Sequence, residues 1–445
     1  MSSPLSRLVE AVVPARLGAS FRLLLASSLI TNIGDGIALA AGPLLVASQT
    51  RDPLLVSLAA LAQSLPVLVF GVVAGALADR VDRRRIIALV NVVRAVVLGL
   101  LAASIATGFV NIGVVLGALF VLGTAETFAD VGSSSLLPRL VAKPDLGIAN
   151  ARLQGSFLLT NQLLAPPLGA AVFALGMALP FATNATCFAA GAVLVSRVVY
   201  RSETDPSSTS TSTSTSTSTS TSTSTSTSAS GGSGWRDDIA DGLRWLLAHP
   251  PMRTLALTIV AFNVTFGAAW SVLVLYAQER LGMNEIGFGL LTTAMAIGGI
   301  VGTVSYGRLE RRFALADIMR VGLLIETFTH LVLALTTSAG VVLATFAVFG
   351  AHAFVWGTTS TAVRQRAVPD ELLGRVTGVY HVGVFGGIVV GTPIGGLLAR
   401  AFGVTAPFWF GFVGSALLVA LLWRQFTHIA HAGDGVPHGV PPTAE

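Results

Sequence analysis

The chain has 445 residues, 53% of them hydrophobic and only 11% charged, with a formal net charge of +5. A soluble domain carries about 25% charged residues, so a mean hydropathy of +0.76 excludes an ordinary soluble fold and describes a chain built for lipid. A single cysteine, Cys187, excludes disulfides within the chain and clustered thiolate metal sites.

Crossing a hydrocarbon core takes roughly 20 mainly apolar residues. Twelve such segments are predicted, at about residues 21–48, 53–78, 86–106, 110–131, 149–175, 178–200, 254–278, 286–307, 316–338, 340–363, 375–399 and 405–427. Continuous apolar runs of this length are incompatible with the alternation of a membrane barrel, which leaves an all-α membrane protein. Glu10 and Pro14 interrupt the segment before the first run, and that run is too long for a signal core, so no cleavable signal is expected.

Ionisable groups inside such spans cost about 2.5 to 3.5 kcal/mol on insertion scales and are functional candidates by default. The first span carries Asp35 within TNIGDGIAL, with no basic neighbour evident in the sequence. The second ends in GALADRVDRRR, residues 75–85, where charge accumulates after an uncharged stretch from Pro53 to Ala78. The third carries Arg94; the fourth carries Glu126 and Asp130, four apart and therefore on one helix face. At about 1.5 Å per residue, Arg94 and Glu126 lie at similar depth, roughly 10 Å from the inner ends, and are expected to neutralise each other. That leaves Asp35 as the first candidate for proton coupling and Glu126 as the second.

The fifth span contains APPLGA, residues 165–170. After the sixth comes a Ser/Thr tract from Ser207 to Ser230, with no apolar surface to repay ordering, expected to act as a tether. WRDDIADGLRWLLAHPP follows, with Trp235, Ile239, Leu243, Leu246 and Leu247 on one helical stripe, and is expected to lie on the inner membrane face. The ninth span carries Glu326 and His330 on one face, with His352 of the tenth at a similar level, expected as a structural acid–imidazole group. The eleventh carries Gly383, Gly387, Gly391 and Gly395; the second and eighth carry Gly71 with Gly75 and Gly298 with Gly302. Small residues at four-residue spacing let helix backbones approach closely. His428, His431 and His438 fall in the C-terminal segment and are read as solvated, with no metal site expected.

With the N-terminus in the cytoplasm, 23 of the 27 basic residues fall in inner segments, against Arg51, Arg280 and Arg400 outside and Arg94 within a span. The positive-inside rule then places both termini in the cytoplasm. This topology accounts for the basic balance, and no solvent-exposed basic face remains for nucleic acid. The expected organisation is a tail at 1–20, a six-helix bundle at 21–200, a cytoplasmic linker at 201–253, a second bundle at 254–427 and a tail at 428–445. The halves also correspond in detail. GALADRVDRRR follows the second span as GTVSYGRLERR, residues 302–312, follows the eighth, and APPLGA in the fifth matches GTPIGG, residues 391–396, in the eleventh. The separation from Gly75 to Pro167 is 92 positions and from Gly302 to Pro393 it is 91, which indicates a duplicated unit.

On these motifs the sequence resembles the major facilitator superfamily. Gly75, Asp79, Arg80, Arg83 and Arg84 fill the family's Gly-x-x-x-Asp-Arg-x-Gly-Arg-Arg loop pattern, with Asp82 at the second glycine as in the enterobactin-exporter-like and macrolide-efflux-like branch. LPRLV before the fifth span and RQRAVPDELLGRVTGVY before the eleventh extend the resemblance. It implies the major facilitator fold, two pseudo-symmetric six-helix bundles, in a bacterial inner membrane. It further implies an inner latch, with Asp79 near the start of the eleventh helix at Arg375 and Arg83 reaching Asp130. The family places helices 1, 4, 7 and 10 around a central cavity, which makes Asn32, Asn263, Trp270, His352 and Trp356 candidate lining residues. APPLGA resembles the family's antiporter signature, with Ala165 and Ala170 at two of its glycines.

The expected function is secondary active export of a small apolar or amphipathic compound in exchange for protons, by a monomer whose other partner is the lipid bilayer. Proton-coupled uptake, or a transporter-like receptor or assembly subunit that moves nothing, are the alternatives. No Walker-type loop, zinc-protease motif or nucleophile elbow occurs, so neither enzyme activity nor a cofactor is expected.

Overall fold

Backbone amides in lipid have to be paired within their own segment, and the chain meets this demand with helix after helix. The computed structural model describes residues 15–199 and 235–430. The helices are α1 (Gly18–Gln49), α2 (Pro53–Arg80), α3 (Arg83–Ala106), α4 (Ile112–Leu140), α5 (Lys143–Leu175), α6 (Leu179–Ser196), α7 (Trp235–Ala248) and α8 (Pro250–Trp270). They continue as α9 (Glu285–Arg312), α10 (Leu315–Leu335), α11 (Ala339–Ala367), α12 (Asp370–Phe402), α13 (Ala406–Leu422) and α14 (Gln425–Ala430). Among the described residues there is no strand, and eleven helices are long and apolar enough to cross a bilayer. The expected twelfth span, α13, has 17 residues: it starts at Ala406, close to expectation, but ends at Leu422, where a turn at Trp423 and Arg424 separates it from α14. The tract Ser207–Ser230, His431 and His438 lie outside the described residues.

Local chemistry sets several boundaries. Asp82, which stands where the family pattern has glycine, is the N-cap of α3: its carboxylate accepts the Arg84 amide at 2.9 Å. Such caps contribute about 1 kcal/mol. Arg84 then donates to the carbonyl of Val198 at 2.9 Å, tying the start of α3 to the segment that follows α6. Asn111 and Asn284 cap α4 and α9 in the same way as Asp82 caps α3.

By packing, the described chain divides into two units, residues 15–45 with 69–199 and residues 46–68 with 235–430. In the first, glycines bring α1 against its neighbours. A Cβ on Gly36 would press on the Asn161 backbone of α5, one on Gly169 on the Ile37 backbone, and one on Gly191 of α6 on Thr31.

In the second unit the glycine ladder of α12 packs on α8: Gly387, Gly391 and Gly395 face the backbones of Val260, Val264 and Ala268. Gly298 and Gly302 of α9 likewise face Ala347 and Ala351 of α11. Gly71 and Gly75 of α2 meet no neighbour within their own unit. The segment 46–68 packs within this unit, with Arg51 donating to Gln278 at 2.6 Å and Asp52 lying 3.8 Å from Arg400.

The amphipathic helix α7 divides its apolar stripe between the core and the surface. Leu246 is buried in the core with Met252, Leu255 and Val376, while Ile239, Leu243 and Leu247 remain exposed. Gly242 lies against the Arg375 backbone, and Asp241 pairs with the Arg375 guanidinium at 3.2 Å. The absence of a side chain at Gly242 lets α7 dock on the start of α12, which turns Leu246 inward.

Candidate functional site

Three ionisable side chains meet in the first unit. Arg94 of α3 donates through Nη2 to Asp35 Oδ1 of α1 at 2.9 Å, and the same nitrogen lies 3.9 Å from Glu126 Oε2 of α4. Their side chains are 8%, 26% and 47% exposed for Arg94, Asp35 and Glu126 respectively. The guanidinium carbon sits 4.1 Å from the centre of the Phe188 ring of α6, a cation–π contact that fixes its orientation. This arrangement corrects one expectation and extends another. Asp35 has a basic partner, and Arg94, expected to pair with Glu126, lies within ion-pair distance of it but makes its hydrogen bond to Asp35. Depth alone set Arg94 level with Glu126; the Phe188 ring turns the guanidinium towards α1.

The chemical consequence is a division of labour. A buried cation needs a counter-charge, and Asp35 supplies it at close range. Glu126, at the longer distance, is the more exposed of the two carboxylates. Next to the site, α5 contains a π-helical stretch, Phe157–Leu164. Such irregularities free backbone groups and recur at functional sites. Here Asn161 lies within it and donates to the Asn32 carbonyl at 3.4 Å, while the Asn32 amide donates to Ser28 Oγ at 3.2 Å.

In the second unit Phe262, Phe266 and Trp270 recur every four residues along α8 and stack with Phe346 and Phe349 of α11. The Phe266–Trp270 centroids are 4.5 Å apart, Trp270–Phe346 5.1 Å and Phe266–Phe349 6.1 Å. All three α8 rings are half-buried, leaving an apolar aromatic wall partly accessible. Of these five rings only Trp270 was singled out from sequence; the i, i+4 spacing of Phe262 and Phe266 was the available signal.

The remaining expected residues divide. Asn32 and Trp270 are partly exposed, as lining residues have to be. Asn263, His352 and Trp356 are buried in the core of their unit, which corrects their expected lining role. Asn263 packs against Gly387, and both His352 and Trp356 fill space left by Gly322 on α10. Glu326, His330 and His352 do come together, at 3.4 Å and 3.8 Å from the carboxylate. Gly75 is partly exposed. The side chains of Asp79, Arg80 and Asp130 lie outside the described residues, and Arg83 is half-buried at the start of α3. Among the described residues no group of His, Cys, Asp and Glu has the spacing of a metal site.

Comparison with known proteins decides the family. The sequence profile of the Major Facilitator Superfamily matches residues 24–380 and 255–437. The chain belongs to the major facilitator superfamily. This major facilitator chain is 27% identical over 400 residues to the multidrug efflux pump Tap of Mycolicibacterium fortuitum, covering 87% of this chain and 90% of that protein. It is 26% identical over 400 residues to the multidrug efflux pump Tap of Mycobacterium tuberculosis, covering 87% and 88%. Among solved structures, a bacterial homologue of the iron transporter ferroportin superposes with a TM-score of 0.70 at 18% identity, covering 92% of this chain and 98% of that one. A bacterial homologue of the human lysosomal transporter Spinster does so at 0.66 and 13%, covering 98% and 100%. This major facilitator protein is therefore a multi-pass membrane transporter of small molecules with efflux pumps among its relatives.

Proposed function

We propose that the chain is a proton-coupled exporter of small apolar or amphipathic compounds, working by alternating access as a monomer in a bacterial inner membrane. Twelve spans with both termini cytoplasmic complete the proposed topology, α13 serving as the last. The observation that carries the coupling is the asymmetry at Arg94, which leaves Glu126 the freer acid while Asp35 holds the cation. Protonation of Glu126 from outside and its release inside would alternate with binding of substrate, whose apolar part the aromatic wall of α8 and α11 suits. The efflux relatives support the direction of transport. On the family resemblance, Asp79, Arg83 and Asp130 form the inner latch and set the rate of turnover.

The test is flux in inside-out vesicles energised by a proton gradient, with an apolar fluorescent dye as probe. The parental protein accumulates dye and dissipates the gradient. Glu126→Gln, which keeps shape and fixes the neutral state, loses gradient-driven accumulation while dye binding stays measurable. Dye accumulation in right-side-out vesicles instead would establish uptake. Gradient-driven transport at the parental rate in Glu126→Gln would remove Glu126 from the mechanism.

A further inference from the structure

Away from the Arg94 cluster, the second unit buries a carboxylate that the transport reading does not use. Glu326 of α10 is 0% exposed, and neither of its oxygens has a hydrogen-bond partner. His352 Nε2 of α11, also without a partner, faces Glu326 Oε2 at 3.8 Å. His330 stands 3.4 Å from Oε1, but its Nδ1 lies 3.0 Å from the Glu326 main-chain carbonyl. A carbonyl only accepts, so that nitrogen carries a proton and spends it on the backbone. The other side of the His330 ring presses on Gly411 of α13, which has no side chain to offer. The carboxylate and His352 therefore border a narrow void, too tight for a water molecule, that Phe262, Leu323 and Trp356 complete. The indole Nε1 of Trp356 is likewise buried without a partner.

Isolated charge is expensive in such a place, and an orphaned buried polar atom calls for a ligand. No water fits the void. Among the described residues no Lys or Arg pairs with the carboxylate either: Asp317 and Arg320 pair with each other near the start of α10, and His428 of α14 is exposed. From α8 the neighbour is Phe262, and from α11 they are His352 and Trp356. One proton between Oε2 and an unprotonated Nε2 neutralises the carboxylate and satisfies both atoms once the gap closes by less than an ångström.

We propose that Glu326 and His352 form a shared-proton site in the second unit, separate from the Asp35–Arg94–Glu126 cluster and sealed by Phe262 and Trp356. Uptake adds one proton from water to the pair, which passes from a carboxylate beside a neutral imidazole to a net neutral O–H···N or O⁻···H–N⁺ bridge. No bond other than the proton's own is made or broken. As a station in transport, the site rests on the proton-coupled reading above; as a proton-binding site it does not.

The experiment is infrared difference spectroscopy of the purified full-length protein across a pH titration, with tryptophan fluorescence read in parallel. The parental protein shows a titrating carboxyl band that Glu326→Gln lacks and His352→Gln shifts. Fluorescence shows a pH-dependent step that Trp356→Phe removes, since the indole ring lies 6.0 Å from that of His352. Should Glu326→Gln fail to fold, the His352→Gln band shift and the Trp356→Phe fluorescence decide. Identical titrations in parental and variant proteins would overturn the site. Substrate counterflow without a gradient, run on the same preparations, separates the two readings: its absence in the parental protein strikes at transport, whereas a missing Glu326 band strikes at this proposal alone.

Discussion

Replacing Asp35 by Asn tests the Arg94 cluster through its energetics. Asn keeps an oxygen that accepts from Arg94 Nη2 at the observed 2.9 Å, but it removes the counter-charge from a guanidinium that is 8% exposed. Breaking a buried pair by removing one partner costs about 3 to 5 kcal/mol. Two features reduce this. The retained acceptor preserves the hydrogen bond, and Glu126 at 3.9 Å carries a second negative charge within reach. A loss of about 2 kcal/mol is the resulting figure, because Asp35 at 26% exposure is also partly screened by solvent. For a bundle of this size that lowers the unfolding temperature in detergent by roughly 4 to 8 °C. Glu126→Gln, which removes the longer and more exposed contact, shifts it much less. The double variant Asp35→Asn with Arg94→Gln removes both charges and recovers part of the lost stability, because no buried charge is then left alone. The assay is thermal unfolding of Asp35→Asn, Arg94→Gln, their double variant and Glu126→Gln side by side. Parental unfolding of Asp35→Asn, or a double variant less stable than the parental protein by the sum of the Asp35→Asn and Arg94→Gln losses, would refute the pairing argument.

Phe266→Ala opens the middle of the aromatic wall, where the ring stacks at 4.5 Å on Trp270 and 6.1 Å on Phe349. Since each such contact contributes about 0.5 to 1.5 kcal/mol beyond area burial, apparent affinity for an apolar dye falls up to about tenfold, with the maximal rate less affected; direct binding titration checks this. Gly391→Leu places a side chain against the Val264 backbone, which cannot yield as a flexible side chain would. A cost of about 3 kcal/mol or more lowers the yield of folded protein, measured by size-exclusion chromatography. A protease site inserted within Ser207–Ser230 is cut from the cytoplasmic side; cleavage of sealed right-side-out vesicles by external protease would overturn the proposed orientation.

The sequence alone determined the class of fold, because the cost of an unpaired amide in lipid leaves one solution for long apolar runs, and eleven of the twelve expected spans have the required length and apolarity. It determined the family as well, since the loop pattern at Gly75–Arg84 and its echo after the eighth span are matters of residue type and spacing. It also marked Asp35, Arg94, Glu126, Glu326, His330 and His352 as costly residues. What it could not determine was which of these charges meet. Depth along a helix is a one-dimensional coordinate that composition supplies, whereas partner choice depends on helix rotation and on reach across a gap. Phe188 decides the first for Arg94, and Gly322 decides it for His352 and Trp356, by opening space that a larger residue would have closed. The role of Asp82 escaped for the same reason: as a member of a charge cluster it is one acid among several, and only the turn that brings its carboxylate onto the Arg84 amide makes it a helix cap. Tertiary packing thus chose the pairs, because the energy of a charge in a dry interior falls steeply with distance and hangs on a rotation that residue order does not specify.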